Sequence, residues 1–209
     1  TINKMKKAFK LFALALVAGA LCVACGDDPV NPDDSTNPGG NTDQPGDPVL
    51  LEESFAAGIP TGWSNVDADG DGYSWEFTDQ LEDHSGNAGV IYSASYINNI
   101  GALTPDNSLI TPSITIPNSH YSLSWFVCPQ DASYPDDKYS VYVGTNDNGT
   151  FNSIKCIYTE TSLPSTWTIR TVDLSEFAGK TVCISFRHYD CTDAYYLKLD
   201  DVKVFDNTL

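Results

Sequence analysis

Tyr121-Ser122-Leu123-Ser124-Trp125 places an apolar side chain at every second position, and residues 108–116 and 166–174 repeat that period of two. Such alternation turns one face toward a core and the other toward water, which is the pattern of a half-buried strand. Runs rich in β-branched and aromatic residues at 50–55, 73–77, 89–95, 139–143, 151–158, 181–189 and 195–205 extend the series. Turn-forming sequences such as Pro117-Asn118, Pro135-Asp136-Asp137 and Asn146-Asp147-Asn148-Gly149 separate them. Nine or ten short strands with no amphipathic helix predict an all-β fold, a two-sheet antiparallel β-sandwich. Residues 174–179 are expected to form one helical turn, capped by Ser175 and ended by Gly179. In the last strand the apolar phase slips, from Leu197 and Leu199 to Val202 and Val204, so a β-bulge is expected at Asp200-Asp201.

The chain before these strands has a different character. Met5-Lys6-Lys7-Ala8-Phe9-Lys10 is basic, and 14 almost unbroken apolar residues follow from Leu11 to Ala24. A spanning helix needs about 20, so residues 1–25 read as a signal peptide, with Thr1 to Lys4 upstream of the expected start at Met5. Ala24 before Cys25 resembles a bacterial lipobox, which makes Cys25 the expected lipidation site and a lipid anchor the expected membrane contact; a secreted protein with an ordinary signal peptide is the alternative. Asp27-Asp28 resembles the export signal of surface lipoproteins, placing the domain at the cell surface on the outer membrane. Residues 26–48 hold five Pro, four Gly and six Asp, with Val30 alone able to enter a core. That tract is expected to be a disordered linker.

Residues 49–209 form the expected domain, with 22 Asp and Glu against seven Lys and Arg. Nucleic acid is excluded as a partner, because binding phosphate requires a cationic surface. The acids are placed more suggestively than their number alone implies. Asp67-Ala68-Asp69-Gly70-Asp71-Gly72 sets three carboxylates at alternate positions closed by glycine, as in the first half of an EF-hand loop. Position twelve is Thr78 where that loop needs glutamate, so calcium on Asp67, Asp69 and Asp71 would be held by a loop of another kind. Glu53 with Asp200 or Asp201 is a second candidate calcium set, bolting first strand to last, and Asp131 is a further candidate ligand. A solvated acidic turn is the alternative for the loop, and a solvated strand end is the alternative for each of the single acids.

Several segments in order resemble the cleaved-adhesin domain family, the repeated module of gingipain and haemagglutinin adhesin regions. They are Glu53-Ser54-Phe55, Gly58-Ile59-Pro60-Thr61-Gly62-Trp63, the acidic loop with Trp75, Leu103-Thr104-Pro105-Asp106-Asn107 and Leu109-Ile110-Thr111-Pro112. Gln130-Asp131-Ala132-Ser133-Tyr134, Phe186-Arg187-His188-Tyr189-Asp190-Cys191-Thr192-Asp193 and Leu199-Asp200-Asp201-Val202 complete the match. The resemblance implies a calcium-stabilised jelly-roll sandwich used for adhesion, in several relatives to host proteins such as haemoglobin or matrix components. Ser108 departs from the aromatic usual after Pro105-Asp106-Asn107. Export permits disulfides without requiring them; Cys128 and Cys191, inside family motifs at strand ends, are the preferred pair among three possible full pairings if one forms. Cys156 and Cys183 read as small buried apolar residues.

The expected function is a monomeric surface adhesin meeting a host protein through loops around Trp75, Asp106, Asn107, Asp131, Asp136 and Asp137. A glycan-binding accessory lipoprotein, stacking sugars on Trp63, Trp75 or Trp167, is one alternative, and a purely structural surface domain is another. Trp125 is assigned to the core by its alternating strand. No enzyme is expected: His84, His120 and His188 lie in no zinc-protease motif, no Gly-x-Ser-x-Gly elbow occurs, and the His188–Cys191 pairing reads as packing.

Overall fold

The computed structural model describes residues 48–208, so the basic-apolar leader, Cys25 and the tract through residue 47 lie outside the described residues. The strands, numbered in chain order, are β1 (Val49–Glu53), β2 (Ser64–Asp67), β3 (Glu76–Glu82), β4 (Ala88–Ala94), β5 (Tyr96–Ile97), β6 (Gly101–Ala102) and β7 (Asp106–Ile110). They continue as β8 (Ile114–Thr115), β9 (Tyr121–Pro129), β10 (Tyr139–Asp147), β11 (Thr150–Glu160), β12 (Thr168–Asp173), β13 (Thr181–Tyr189) and β14 (Tyr196–Asp206). One sheet runs β12-β9-β14-β4-β3, with β1 also on β14. The other runs β11-β10-β13-β7-β2, with β8 on β13, and β5 pairs with β6 as a small ribbon. Every ladder among them is antiparallel, and their inner faces close one core. The expected all-β, jelly-roll-like sandwich is what forms.

The alternating positions of the long strands fill the space between the sheets. Leu123, Trp125 and Val127 of β9 meet Val141 and Val143 of β10 and Ile184 and Phe186 of β13 in one buried cluster. Trp125 stands edge-on to Tyr158 (5.2 Å) and Phe186 (5.6 Å), and its indole Nε1 donates to the Tyr139 hydroxyl at 3.1 Å. That hydroxyl donates onward to Glu160 Oε2 (2.9 Å) at the end of β11, and Arg170 on β12 grips the same carboxylate through Nε (3.1 Å) and Nη2 (2.5 Å). A hydrogen-bonded chain therefore clips one sheet to the other and satisfies the polar ends of the buried rings.

The expected bulge is present. Register shifts between Asp200 and Lys203 on β14, and Asp201 adopts φ of +43°. Its position has a topological cause: Tyr196–Leu199 pair with β4, whereas Val202–Phe205 pair with β1. The strand changes neighbour at the bulge, and the turn before β4 reaches that gap.

Three local expectations are corrected. The short turn is a 3₁₀ helix at Ser175–Phe177 in which Ser175 caps nothing; Asp173 Oδ1 accepts the Ser175 amide (2.8 Å) in that role. All four cysteines of the domain are free thiols, so Cys128 and Cys191 are not joined. Cys183 is buried as expected, but Cys156 is exposed, because β11 is the edge strand of its sheet and its outer face is not covered.

Candidate functional site

The acidic loop between β2 and β3 is built from its base upward. Asn65 pinches Trp75, accepting its amide at Oδ1 (3.2 Å) and donating from Nδ2 to its carbonyl (2.6 Å). The Trp75 indole is buried and donates to the Asn107 carbonyl at 3.3 Å. With both ends fixed, residues 67–74 must curl, and Gly70 and Gly72 supply the left-handed φ values (+75° and +89°) that the curl needs. Asp67 Oδ1 and Oδ2 accept the Gly70 and Gly72 amides at 2.7 and 2.9 Å. Asp67, Asp69 and Asp71 each present a carboxylate oxygen within 4.8 Å of the others, as the spacing predicted.

The electrostatics of this cluster are uneven. The Gly72 and Gly70 amides hold the Asp67 carboxyl below its usual range. Asp69 is held above it, first by desolvation, with the neighbouring Asp71 charge adding to the effect. Asp69 Oδ1 also accepts the Asp106 amide at 3.3 Å, which joins the loop to β7. Asp106 itself takes both arms of Arg187, Nε at 2.6 Å and Nη2 at 2.7 Å, and Arg187 lies 4.4 Å over the Tyr189 ring.

Asp200 and Asp201 meet a different partner from the one expected. Asp200, buried at the bulge, accepts the His84 amide at Oδ2 (3.0 Å) and lies 2.9 Å from His84 Nδ1. Its Oδ1 accepts the Asp201 amide, and His84 stacks on Phe126 with ring centroids 4.0 Å apart. His84, Asp200 and Asp201 form the cluster there; Glu53 is not in it, its Oε1 being turned to the Phe55 amide (2.9 Å). β1 and β14 are neighbours as expected, but Glu53 sits opposite Val202, beyond the bulge.

A third cluster escaped sequence reasoning except as packing. His188 and Asp137 are fully buried, His188 Nε2 lies 3.0 Å from Asp137 Oδ1, and Cys191 Sγ lies 3.1 Å from the same nitrogen. A nucleophile–base–carboxylate relay needs the thiol and the carboxylate on opposite ring nitrogens. Here Nδ1 faces Ser93 Oγ (2.8 Å), and burial pushes the Cys191 thiol up to about 12. The geometry is that of a buried network rather than an activated thiol. Asp137 Oδ2 has no hydrogen-bond partner among the described residues.

Two concavities flank these clusters. A groove of about 420 Å³ on the outer face of the β2-β7-β13-β10-β11 sheet is lined by Asp106, Ser108, Tyr142, Phe151 and Arg187 among others. Its wall exists because β10 carries Gly144: a Cβ there would lie 2.7 Å from the Phe151 ring. A second pocket of about 390 Å³ lies among Tyr96 of β5 and loop residues Asn98, Asp131, Tyr134, Asp193 and Tyr195.

Of the residues expected to touch a ligand, Asp106 and Asp136 reach the surface, but Trp75, Asn107 and Asp137 do not, at 2, 1 and 0 % exposed. Each carries a polar atom bound inside the sandwich, so packing claims the side chain that the loop position seemed to offer. Asp131 joins none of the three clusters and lines the second pocket instead. Trp63 packs edge-on to Phe55 (5.1 Å), and Lys198 lies 5.0 Å over Trp167.

Comparison with known proteins agrees with this frame. Residues 49–204 match the model of the Cleaved Adhesin Domain. The chain is 38% identical over 176 residues to Gingipain R1 and 37% identical over 180 residues to Hemagglutinin A, both of Porphyromonas gingivalis. Each alignment covers 76% of this chain, which spans about a tenth or less of those relatives' length (10% and 8%). The crystal structure of the K1 cleaved adhesin domain of Lys-gingipain from the same organism superposes with a TM-score of 0.65 at 37% identity, covering 75% of this chain and 98% of that one. The K3 domain gives 0.65 at 32% identity, covering 76% and 99%. With the fold, the motif order and the match over residues 49–204 in agreement, this chain belongs to the cleaved adhesin domain family.

Proposed function

We propose that this domain is a non-catalytic adhesin module, ordered by calcium, that holds a host protein at the cell surface. The observation that carries the reading is the family match across residues 49–204, since the relatives bear adhesin and haemagglutinin names. The Cys191–His188–Asp137 geometry supports the non-catalytic part. The Cys25 signal would supply the lipid tether. An array of immobilised haemoglobin, matrix proteins and glycans, probed with the purified chain, tests it. Retention on one or more proteins and not on glycans is expected; retention on a polysaccharide alone, or release of product from any substrate, overturns it.

The calcium component rests on donor chemistry. Asp67, Asp69 and Asp71 offer hard oxygen ligands within 4.8 Å of one another, and Asp69, held above its usual range first by desolvation and then by the Asp71 charge, would be relieved of that charge by a bound cation. His84, Asp200 and Asp201 fit less well, because a ring nitrogen replaces the third oxygen. Sites of this extracellular kind bind at about 10⁻⁴–10⁻³ M, so millimolar calcium adds roughly 0.4 to 1.4 kcal/mol of stability per site across that range. A chelator is expected to lower the melting temperature, and Asp69→Ala to remove most of that response. Superimposable melting curves with and without chelator would end the calcium reading.

A glycan-binding reading has one observation in its favour, the groove with Tyr142 and Phe151 in its wall. The three tryptophans first assigned to sugar stacking do not support it, because each is buried or packed.

A further inference from the structure

The second pocket has a chemistry distinct from the rest of the acidic surface. Three tyrosines, Tyr96, Tyr134 and Tyr195, and two carboxylates, Asp131 and Asp193, line its roughly 390 Å³, and no lysine or arginine among the described residues does. Tyr134 is 56% exposed. Tyr195 sits at 6.1 Å from Tyr96 in an edge arrangement and stacks at 4.2 Å on Tyr196, which in turn meets Tyr92 at 4.4 Å. A continuous aromatic surface thus leads into an anionic hollow.

Three separate loops are held in place to make it. Ser95, fully buried, is the pin: its Oγ accepts the Ala194 amide (3.1 Å), and its carbonyl accepts the Asp193 amide (3.0 Å). The Tyr195 carbonyl takes the amides of Ser95 (2.8 Å) and Tyr96 (3.2 Å) in return. These bonds hold Asp193 and Tyr195 at φ of +61° and +83°, a conformation that a bulky residue such as tyrosine adopts only when its surroundings impose it. Asn98 Nδ2 then fixes the Tyr195 hydroxyl at 3.0 Å. On the third loop, Asp131 Oδ1 accepts the Ser133 amide (2.8 Å) and its carbonyl accepts the Tyr134 amide (3.0 Å), so the acid and the ring turn together. Among the described residues neither Asp131 nor Asp193 has an ion-pair partner.

Aromatic faces backed by carboxylates favour a desolvated organic cation, through the ring quadrupole and through charge-assisted hydrogen bonds. The tyrosine rings offer contact area at little entropic cost, having few torsions to freeze. The acidic domain steers positively charged partners toward it. We propose that this pocket receives an arginine or lysine side chain of the bound protein, arginine being preferred because its planar guanidinium stacks and bonds at once. The proposal rests on the reading that the domain binds protein, and supplies the contact by which it does so.

Nuclear magnetic resonance titration of the full chain tests it, with N-acetyl-arginine amide as probe and the neutral citrulline analogue as control. Shifts confined to residues 95–98, 131–134 and 193–196 are expected with the arginine compound and not with citrulline. Tyr134→Ala and Asp193→Asn are each expected to weaken binding about fivefold, the value of about 1 kcal/mol for a partly exposed cation–π or charged contact. Both variants should fold, since Tyr134 is exposed and asparagine accepts the left-handed conformation at position 193. Equal binding of citrulline, shifts centred elsewhere, or undiminished binding by both variants would overturn the proposal. Protein capture on the array that survives both substitutions would sink the pocket while leaving adhesion standing. Arginine binding in the pocket without any protein captured would do the reverse.

Discussion

Cys191 shows how far a side chain's neighbours decide its chemistry. It lies beside an imidazole, yet the same ring nitrogen also faces Asp137, and desolvation pushes the thiol from near 9 up to about 12. At pH 8 its thiolate fraction is then about 10⁻⁴. Iodoacetamide is expected to label exposed Cys156 and to leave Cys191, with buried Cys128 and Cys183, unmodified until the domain is denatured; prompt labelling of Cys191 would contradict the buried-network assignment. Because the folded value exceeds the unfolded one, the folded state holds this proton more tightly. The stability it contributes is whole below about 9 and is lost as pH rises from there through about 12. A melting temperature that falls across that window less steeply in Cys191→Ala than in the parent is the expected sign.

At the level of elements, contacts between neighbouring segments carry unequal weight. Gly144 on β10 faces the next strand so closely that an added Cβ would lie 2.3 Å from the Asn152 carbonyl oxygen and 2.7 Å from the Phe151 ring. Gly144→Ala must push a backbone atom aside, and a loss of about 1–3 kcal/mol in chemical denaturation is expected. An effect within ±0.5 kcal/mol would show that the β10–β11 hairpin yields more readily than its contacts suggest. The Glu160–Arg170 clip joins the two sheets and is 12 and 20 % exposed, whereas Lys155 and Glu176 pair in the open at 48 and 59 %. Arg170→Ala is expected to cost about 1–3 kcal/mol, since it strands a mostly buried carboxylate that also serves Tyr139 and Tyr158. Lys155→Ala should cost at most about 1 kcal/mol. Equal losses would mean that the clip adds nothing beyond an exposed pair.

For the whole molecule, charge and layering set what it meets. With 28 acidic against 11 basic residues over its 209, the chain carries a formal −17. Association with a basic protein is expected to slow as salt rises, because steering acts over a screening length of about 8 Å at physiological ionic strength. Surface plasmon resonance at 50 and 300 mM salt should show the on-rate falling more than the off-rate changes. An on-rate indifferent to salt would count against a cationic partner.

Strand identity was legible in the sequence because alternation is local: each residue's face follows from its neighbours two positions away. The phase slip at Asp200-Asp201 was correct for that reason, and so was the inward stripe of β9 ending in Trp125; its serine face, expected in water, is covered as well, Ser122 and Ser124 both being buried. The Asp67–Asp71 loop was legible too, since its geometry is closed within six residues and two glycines. Tertiary structure alone decided which loop residues stay wet. Trp75, Asn107 and Asp137 sit at segment ends that the sequence leaves open, and the opposite sheet and the strand-end loops cover them. Likewise the partner of Asp200 is His84, 116 residues away, and the tyrosine pocket gathers three loops through Ser95. Periodicity states which face a side chain takes. Only the packing of distant strands states what, if anything, lies against that face.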